Sequence, residues 1–587
     1  MENNIVKVCL WGQTVGEIYW DEKRKLSCFS FDSDFISGNL DIAPLTASIH
    51  TPLLAQGEVY LGKRDKPYKG LPEFLADSLP DNWGERVMRH WFDHYGTKQY
   101  LTPVDSLSLM GKRSMGALEF EPYIEKWEKS TDIRLTELYR LADAIMEERS
   151  LPEGEEPLIQ LQKLFCVGTS AGGRRPKAII AINHDTGEVK AGHGQLPDKF
   201  THYILKFNER KQFPNTLLEK TYYDMAVDAG IRIMPSALLE IDGIPHFITQ
   251  RFDRQGQEKI HIQTLAAMAP GADSYEDLFR VARRLNVPYD EQLGLYRQTV
   301  FNMLGDNLDD HVKNFSFMME KDGTWHVTPA YDICFTYDMT GMGYDNRHEL
   351  TICGKDREIT VDDLQIFGAE NDIHNAKAII SDIKHILSSF KEYAVRNGVA
   401  KGYAEVIQKK IAQNIGVRFE AKNILDGNEN ENPYPFDNIA VISRKGKYII
   451  SARLQGRNLP EMEITQEDYM LYASKITTKQ QLADKYFGPR IEERGTKGLL
   501  ISIVGRLTTS LHPENELAEN EKETIRDYFS QFGSTKEKES ILDEIWEKAQ
   551  NLPGTRKTGE WLRDAKVYLH EIVTGGEGQK QNSGLKM

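Results

Sequence analysis

The sequence predicts an α+β protein with four parts: a small mixed N-terminal subdomain, a β-rich lobe, a helical lobe and an appended α/β module. Three observations predict it. Apolar residues alternate near the start of the chain, the middle interleaves strand-like runs with glycine turns, and amphipathic helical stretches follow. At 587 residues the chain is also too long for a single hydrophobic core.

Composition narrows the class. A 40% hydrophobic and 27% charged content is that of a globular protein rather than a fibrous or disordered one. The net charge of −15 argues against a broad non-specific nucleic-acid surface and favours partners with basic faces. Five cysteines, Cys9, Cys28, Cys166, Cys334 and Cys353, form no CxxC pair, which excludes a zinc ribbon or disulfide framework and fits a reducing cytoplasm. No apolar run approaches the ~20 residues of a membrane span, and the Met-Glu-Asn-Asn start is unlike a signal peptide. The expectation is a cytoplasmic protein with no membrane partner.

Taken in order, residues 5–62 read as short strands, with Val6, Val8 and Leu10 alternating and then Gly16, Ile18 and Trp20. Asp81 or Asn82 caps a helix with Val87 and Trp91 on its apolar face. Residues 110–120 form a glycine-hinged turn into a strand, and 131–163 are mostly helical with a break at 152–157. From Cys166 the pattern reads strand, glycine loop, strand. A helix over 215–230, strands over 236–252, helices over 275–304 and further helices over 375–425 follow. Residues 426–435, polar with two prolines, are the clearest linker. Beyond it come a small β-meander, Ile439–Ile450 and Ser451–Arg457, with a turn at Lys445-Gly446, and helices at about 465–486, 513–533 and 538–573. The domain reading is 1–125, 126–425, a linker over 426–436, and 437–587.

Four features carry chemistry. The first is Gly168-Thr169-Ser170-Ala171-Gly172-Gly173, whose glycines let backbone N–H groups approach a phosphate. An ordinary hairpin would look the same, and no Gly-Lys-Ser/Thr follows, so it is not a Walker A loop. The second is Lys206 inside the apolar run Tyr203–Phe207, either a phosphate-binding lysine or an edge lysine facing water. The third is Asp309-Asp310-His311-Val312-Lys313-Asn314, with the Asp-x-x-x-x-Asn spacing of a kinase catalytic loop. Asp309 is the base, because Asp310 is one residue too close to Asn314. The asparagine amide oxygen is suited to Mg²⁺. The fourth is Asp332, 18 residues after Asn314, a second metal carboxylate or else a turn aspartate. Glycine loop, lysine, Asp/Asn and metal Asp occur in kinase order.

These residues, with Arg175-Pro176-Lys177, Gln250-Arg251-Phe252-Asp253-Arg254, Pro329-Ala330-Tyr331-Asp332 and the N-terminal Leu79-Pro80-Asp81-Asn82-Trp83-Gly84, resemble the HipA family over roughly residues 1–425. The resemblance implies a HipA-like kinase fold and an ATP- and Mg²⁺-dependent serine/threonine kinase toxin. It implies a protein target, an aminoacyl-tRNA synthetase in the best-known case, and growth arrest with persistence. It also implies a HipB-like helix-turn-helix antitoxin as partner, with DNA reached only through that antitoxin. Autophosphorylation falls on Ser170. Gln250 and Phe252 correspond to the adenine-holding segment, with Gln250 where some members carry glutamate. His311 and Lys313 join the nucleotide site. Two other readings stay open: a small-molecule phosphotransferase, and an inactive kinase-like interaction protein working with a DNA-binding antitoxin. Residues 437–587 carry no motif that assigns them a chemistry.

Overall fold

Alternation at the N-terminus does build a sheet. In the computed structural model, strands Val6–Leu10, Gln13–Asp21, Leu26–Phe31, Tyr60–Leu61 and Leu118–Glu121 pair antiparallel, with Tyr60–Leu61 and Leu118–Glu121 at the edges. Val6, Val8 and Leu10 are all buried, as the period of two requires. The structure describes residues 5–38, 40–94, 101–124, 131–149, 155–168, 175–194, 196–209, 213–340, 345–416, 436–444, 446–454, 457–459, 461–492, 496–507, 517–530, 532, 534–550 and 560–574. The chain divides into two compact units, 1–421 and 422–587.

In the first unit, helix Asn82–His94 starts where Asp81 accepts from the Gly84 N–H at 2.7 Å. Helix Pro103–Met110 opens with a reciprocal capping box between Thr102 and Asp105. A second five-stranded antiparallel sheet runs Val189–Ala191, Lys177–Asn183, Phe200–Lys206, Ile244–Gln250 and Ser236–Ile241. Helices Leu135–Met146 and Glu155–Gly168 cover its apolar face. Tyr139, Leu164 and Phe165 pack there in one buried cluster with Ala178, Ile180, Leu205 and Ile248. Each fully buried aliphatic of this kind contributes about 1.5–3 kcal/mol.

The strand expected from Cys166 is instead the last turn of a helix. Leu161, Leu164, Phe165 and Val167 follow three- and four-residue spacing, and their burial against the sheet decides the matter.

Below the sheet, strands His261–Thr264, Ser316–Met319 and Trp325–Val327 form a small antiparallel platform. Helices Tyr275–Arg284, Tyr289–Leu304, Val361–Glu370, Ala376–Ser388, Phe390–Arg396 and Lys401–Ile415 make the helical lobe.

In the second unit, strands Phe436–Arg444 and Lys447–Leu454 form a hairpin to which Arg457–Asn458 and Met462–Ile464 add. The strand Lys447–Leu454 runs across the boundary expected between Ile450 and Ser451, because Tyr448, Ile450 and Ala452 keep one buried face. Helices Gln466–Ala473 and Lys479–Glu492 pack with it. Thr496–Leu507, a helix the sequence reading did not single out, shares a separate core with Glu519–Ser530, Thr535–Gln550 and Glu560–Thr574. The linker residues 426–435 lie outside the described residues.

Candidate active site

Lys206 ends the strand Phe200–Lys206, and its side chain is largely buried. Its ammonium donates to the carboxylates of both Glu219 and Asp332. Glu219 sits on helix Asn215–Asp228 and is itself buried. Lys177 is directly opposite Lys206 in the strand pairing, so the two side chains share one face of the sheet. The Lys177 ammonium bonds Asp81 at 3.0 Å, and Arg175 lies 3.7 Å from Glu219. Three cations and three carboxylates thus neutralise one another where a lone charge would be costly.

The electrostatics follow from that count. Burial alone would raise the Asp332 carboxyl, but Lys206, Lys177 and Arg175 outweigh it and hold the group down to about 2. Burial would likewise lower Lys206, yet Asp332 and Glu219 hold it above its ordinary value. Lys177 goes the other way: burial lowers it, against the pull of Asp81 and Asp332. The site therefore presents an ionised carboxylate beside a permanent cation.

Asp332 itself adopts φ +54°, a left-handed conformation rare for a residue with a Cβ. The preceding segment fixes it. The Ala330 N–H donates to the Arg232 carbonyl at 2.7 Å. The Tyr331 hydroxyl donates to the Lys313 carbonyl at 2.8 Å and pairs with Ser316 Oγ at 2.5 Å. Phe252 stacks on the Tyr331 ring at 5.8 Å between centroids. Gln250 ends the strand Ile244–Gln250, its N–H donating to the Pro235 carbonyl at 2.9 Å.

The loop after helix Tyr289–Leu304 brings the remaining residues. Thr336 Oγ1 accepts from the N–H groups of Leu308 and Asp309 at 2.7 and 3.2 Å. Asn314 Nδ2 donates to the Asp309 carbonyl at 2.6 Å, which closes the Asp-x-x-x-x-Asn loop on itself. The Asp309 side chain is 61% exposed, with His311 Nε2 3.9 Å away. His311 Nδ1 accepts from the Lys313 N–H at 3.2 Å, and the Lys313 side chain is exposed. Asp310 is fully buried: it accepts from the Tyr275 hydroxyl at 2.8 Å, pairs with His348 Nδ1 at 2.9 Å and accepts from the Glu349 N–H at 2.9 Å.

Gly168 is the buried last residue of its helix. Thr169, Ser170, Ala171, Gly172 and Gly173 lie outside the described residues.

A hard divalent cation suits what is present. With its amide nitrogen committed to the Asp309 carbonyl, Asn314 has Oδ1 to offer, and Asp332 stays ionised. Among the described residues no group of three or more His, Cys, Asp or Glu could hold a metal ion, so most of its ligands would come from phosphate and water.

Sequence reasoning missed Glu219, the Asp81–Lys177 pair and the partners of Asp310. Only Glu219 had a signal: a carboxylate on the helix following the lysine strand is what a kinase-type lysine needs.

This is the layout of a kinase-type fold with an attached N-terminal subdomain. A family model described as HipA-like C-terminal domain matches residues 169–397, and one described as HipA N-terminal domain matches residues 6–121. The chain belongs to the HipA family. HipA of Shewanella oneidensis MR-1, solved in a toxin–antitoxin complex with HipB and operator DNA, superposes with a TM-score of 0.51 at 15% identity, covering 70% of this chain and 98% of that one. That likeness establishes the fold. Y4mE of Sinorhizobium fredii, a protein named as a candidate kinase, is 25% identical over 142 residues, 21% of this chain and 34% of that protein. The chain thus spans about a third of the length of this curated relative. The proinflammatory kinase CtkA of Helicobacter pylori aligns at 13% identity over 37% of this chain and 89% of its own, and its TM-score of 0.28 carries no argument.

Among the described residues, no helix is long and apolar enough to cross a membrane.

Proposed function

We propose that this protein is a HipA-type toxin kinase that transfers the γ-phosphoryl group of ATP to a serine or threonine of a protein target. The observation that carries the proposal is the contact of Lys206 with both Glu219 and Asp332, together with the Asp309–Asn314 loop that Tyr331 ties to the Asp332 segment. A structural lysine has no need of two carboxylates, one of them on a residue with left-handed backbone; a phosphate-binding lysine that also faces a metal carboxylate does.

In this reading the loop Gly168, Thr169, Ser170, Ala171, Gly172 and Gly173 covers the phosphates, and Lys206, oriented by Glu219, contacts them. Phe252 and Gln250 hold the adenine, and His311 and Lys313 line the nucleotide site. Asn314 and Asp332 would hold Mg²⁺, which supplies charge neutralisation on the phosphate oxygens when bound. Asp309, exposed at the mouth of its loop, accepts the proton of the target hydroxyl while holding it in line. Catalysis is then mainly positioning and preorganised charge.

Ser170 is the autophosphorylation site; a dianionic phosphate there would repel the nucleotide. The partner is a HipB-like antitoxin, supported by the complex in which the Shewanella relative was solved, with DNA reached only through it. The target is a translation component such as an aminoacyl-tRNA synthetase, and the setting is cytoplasmic. We assign residues 1–125 to the N-terminal subdomain, 126–425 to the kinase domain, 426–436 to a linker and 437–587 to an extension.

The test is phosphopeptide mapping after incubation of the full chain with ATP, Mg²⁺ and a lysate of its host. Phosphoserine or phosphothreonine on a host protein and at Ser170 supports the proposal. A product confined to small molecules would replace it with the small-molecule phosphotransferase reading.

A further inference from the structure

We propose that Asp81 is a positioning residue of the phosphate site: through the buried Asp81–Lys177 ion pair and the neighbouring Trp83, the N-terminal subdomain holds the strand start at Lys177 in place beside Lys206. This rests on the kinase reading above and adds to it the role of the N-terminal subdomain.

Three contacts carry it. Asp81 divides its carboxylate between two tasks. Oδ1 accepts from the Gly84 N–H at 2.7 Å and starts helix Asn82–His94, while Oδ2 accepts from the Lys177 ammonium at 3.0 Å. Lys177 is nearly fully buried and has Lys206 opposite it in the sheet, so without Asp81 the cations Lys177, Lys206 and Arg175 would face only the carboxylates of Glu219 and Asp332.

Trp83, buried on the first turn of the same helix, donates from Nε1 to the Lys177 carbonyl at 2.9 Å. The same Nε1 reaches the other side of the loop: a Cβ built on Gly168 would lie 3.3 Å from it. Gly168 and Lys177 bracket residues 169–176, so the indole is bonded to one flank and stands close to the other.

Arg113 adds a third hold. It is buried and donates from Nη1 to the Cys166 carbonyl at 3.0 Å, in the last turn of helix Glu155–Gly168. A guanidinium at a helix C-terminus satisfies an orphan carbonyl and complements the dipole. Asp81, Trp83 and Arg113 all fall within the stretch matched by the N-terminal family model, whereas Lys177 falls within the C-terminal one. The strand start at Lys177 and the end of helix Glu155–Gly168 are therefore held by residues of the N-terminal match.

The design of Asp81 makes a clean test possible. Asp81→Asn keeps an oxygen for the Gly84 N–H and replaces the anionic acceptor facing Lys177 with a neutral amide. ATP affinity in the presence of Mg²⁺ is measured on the full chain for wild type, Asp81→Asn, Lys177→Met and the double variant, with the melting temperature of each. The expected result is an ATP Kd raised about tenfold or more in Asp81→Asn, as loss of one partner of a buried ion pair implies. The double variant should be no weaker than Lys177→Met alone, because Asp81 acts through Lys177. An Asp81→Asn Kd within about twofold of wild type, whatever its melting temperature, would overturn the proposal, as would effects of the two substitutions that simply multiply. Wild-type protein that binds no ATP at all would sink the kinase reading itself, and this inference with it.

Discussion

Asp309 and Asp310 are adjacent in the chain and lie in opposite surroundings: the first is 61% exposed, and the second is fully buried against Tyr275, His348 and the Glu349 N–H. The pair divides the work of the loop. Asp310 anchors it to helix Tyr275–Arg284 and to the segment that follows Asp332, and the anchored backbone leaves the Asp309 carboxylate at the surface where a substrate can reach it.

Asp310→Ala should therefore cost stability. It removes three hydrogen-bonded contacts from a buried site and leaves the Tyr275 hydroxyl proton and His348 Nδ1 without their partner there, a loss of about 2–4 kcal/mol. Urea denaturation followed by tryptophan fluorescence reads it. An unchanged midpoint would show that the loop does not depend on Asp310.

Lys206→Met should lower phosphoryl transfer by about a hundredfold or more, since in the proposed site the cation that contacts Asp332 also contacts the phosphates. Glu219→Gln keeps the shape and removes the charge that orients Lys206, so its loss should be smaller and fall mainly on the KM for ATP. Steady-state kinetics with varied ATP separates the two.

The fold was legible wherever local patterning and burial agreed. The alternation of Val6, Val8 and Leu10, the helix ending before Gly230 and the helices over 275–304 follow directly from period and punctuation. Cys166 misled because Phe165, Cys166 and Val167 form a short apolar run that periodicity alone cannot assign to strand or helix. In the proposed site, Lys206, Asp309, Asn314 and Asp332 stood out in the sequence because kinase chemistry fixes an order and spacing for such residues. The roles of Asp81 and Asp310 did not, since they depend on partners 96 and 38 residues away.

Two buried histidines give the stability a pH dependence. Burial lowers His202 to about 4, helped by Arg251 and Arg254, and burial lowers His261 to about 4 despite a bond to Ile42. Below pH 6.5 the unfolded chain protonates both while the folded chain does not, so the unfolded state binds more protons and stability falls as the pH drops. The loss levels off near pH 4, and at pH 5 it is on the order of 1–2 kcal/mol per histidine. His261→Leu should flatten the curve between pH 6.5 and 4 in urea titrations. A slope unchanged by the substitution would show that His261 protonates alike in both states.

Chelation is a separate check on Asn314 and Asp332. EDTA should abolish transfer, and added Mg²⁺ should restore it in wild type. Asp332→Asn should need a higher Mg²⁺ concentration for half-maximal activity, because a neutral amide replaces the only anionic protein ligand in the pair. Activity indifferent to EDTA would remove the metal from the account.

The most direct measurement is transfer of radiolabelled γ-phosphate from ATP to protein by the full chain, compared with Asp309→Asn at equal ATP occupancy. The account expects label on protein in the wild type and a loss of about a hundredfold or more in the variant, with ATP binding and melting unchanged because the Asp309 side chain is exposed. Equal labelling by the two proteins, or ATP binding without label in either, would contradict it.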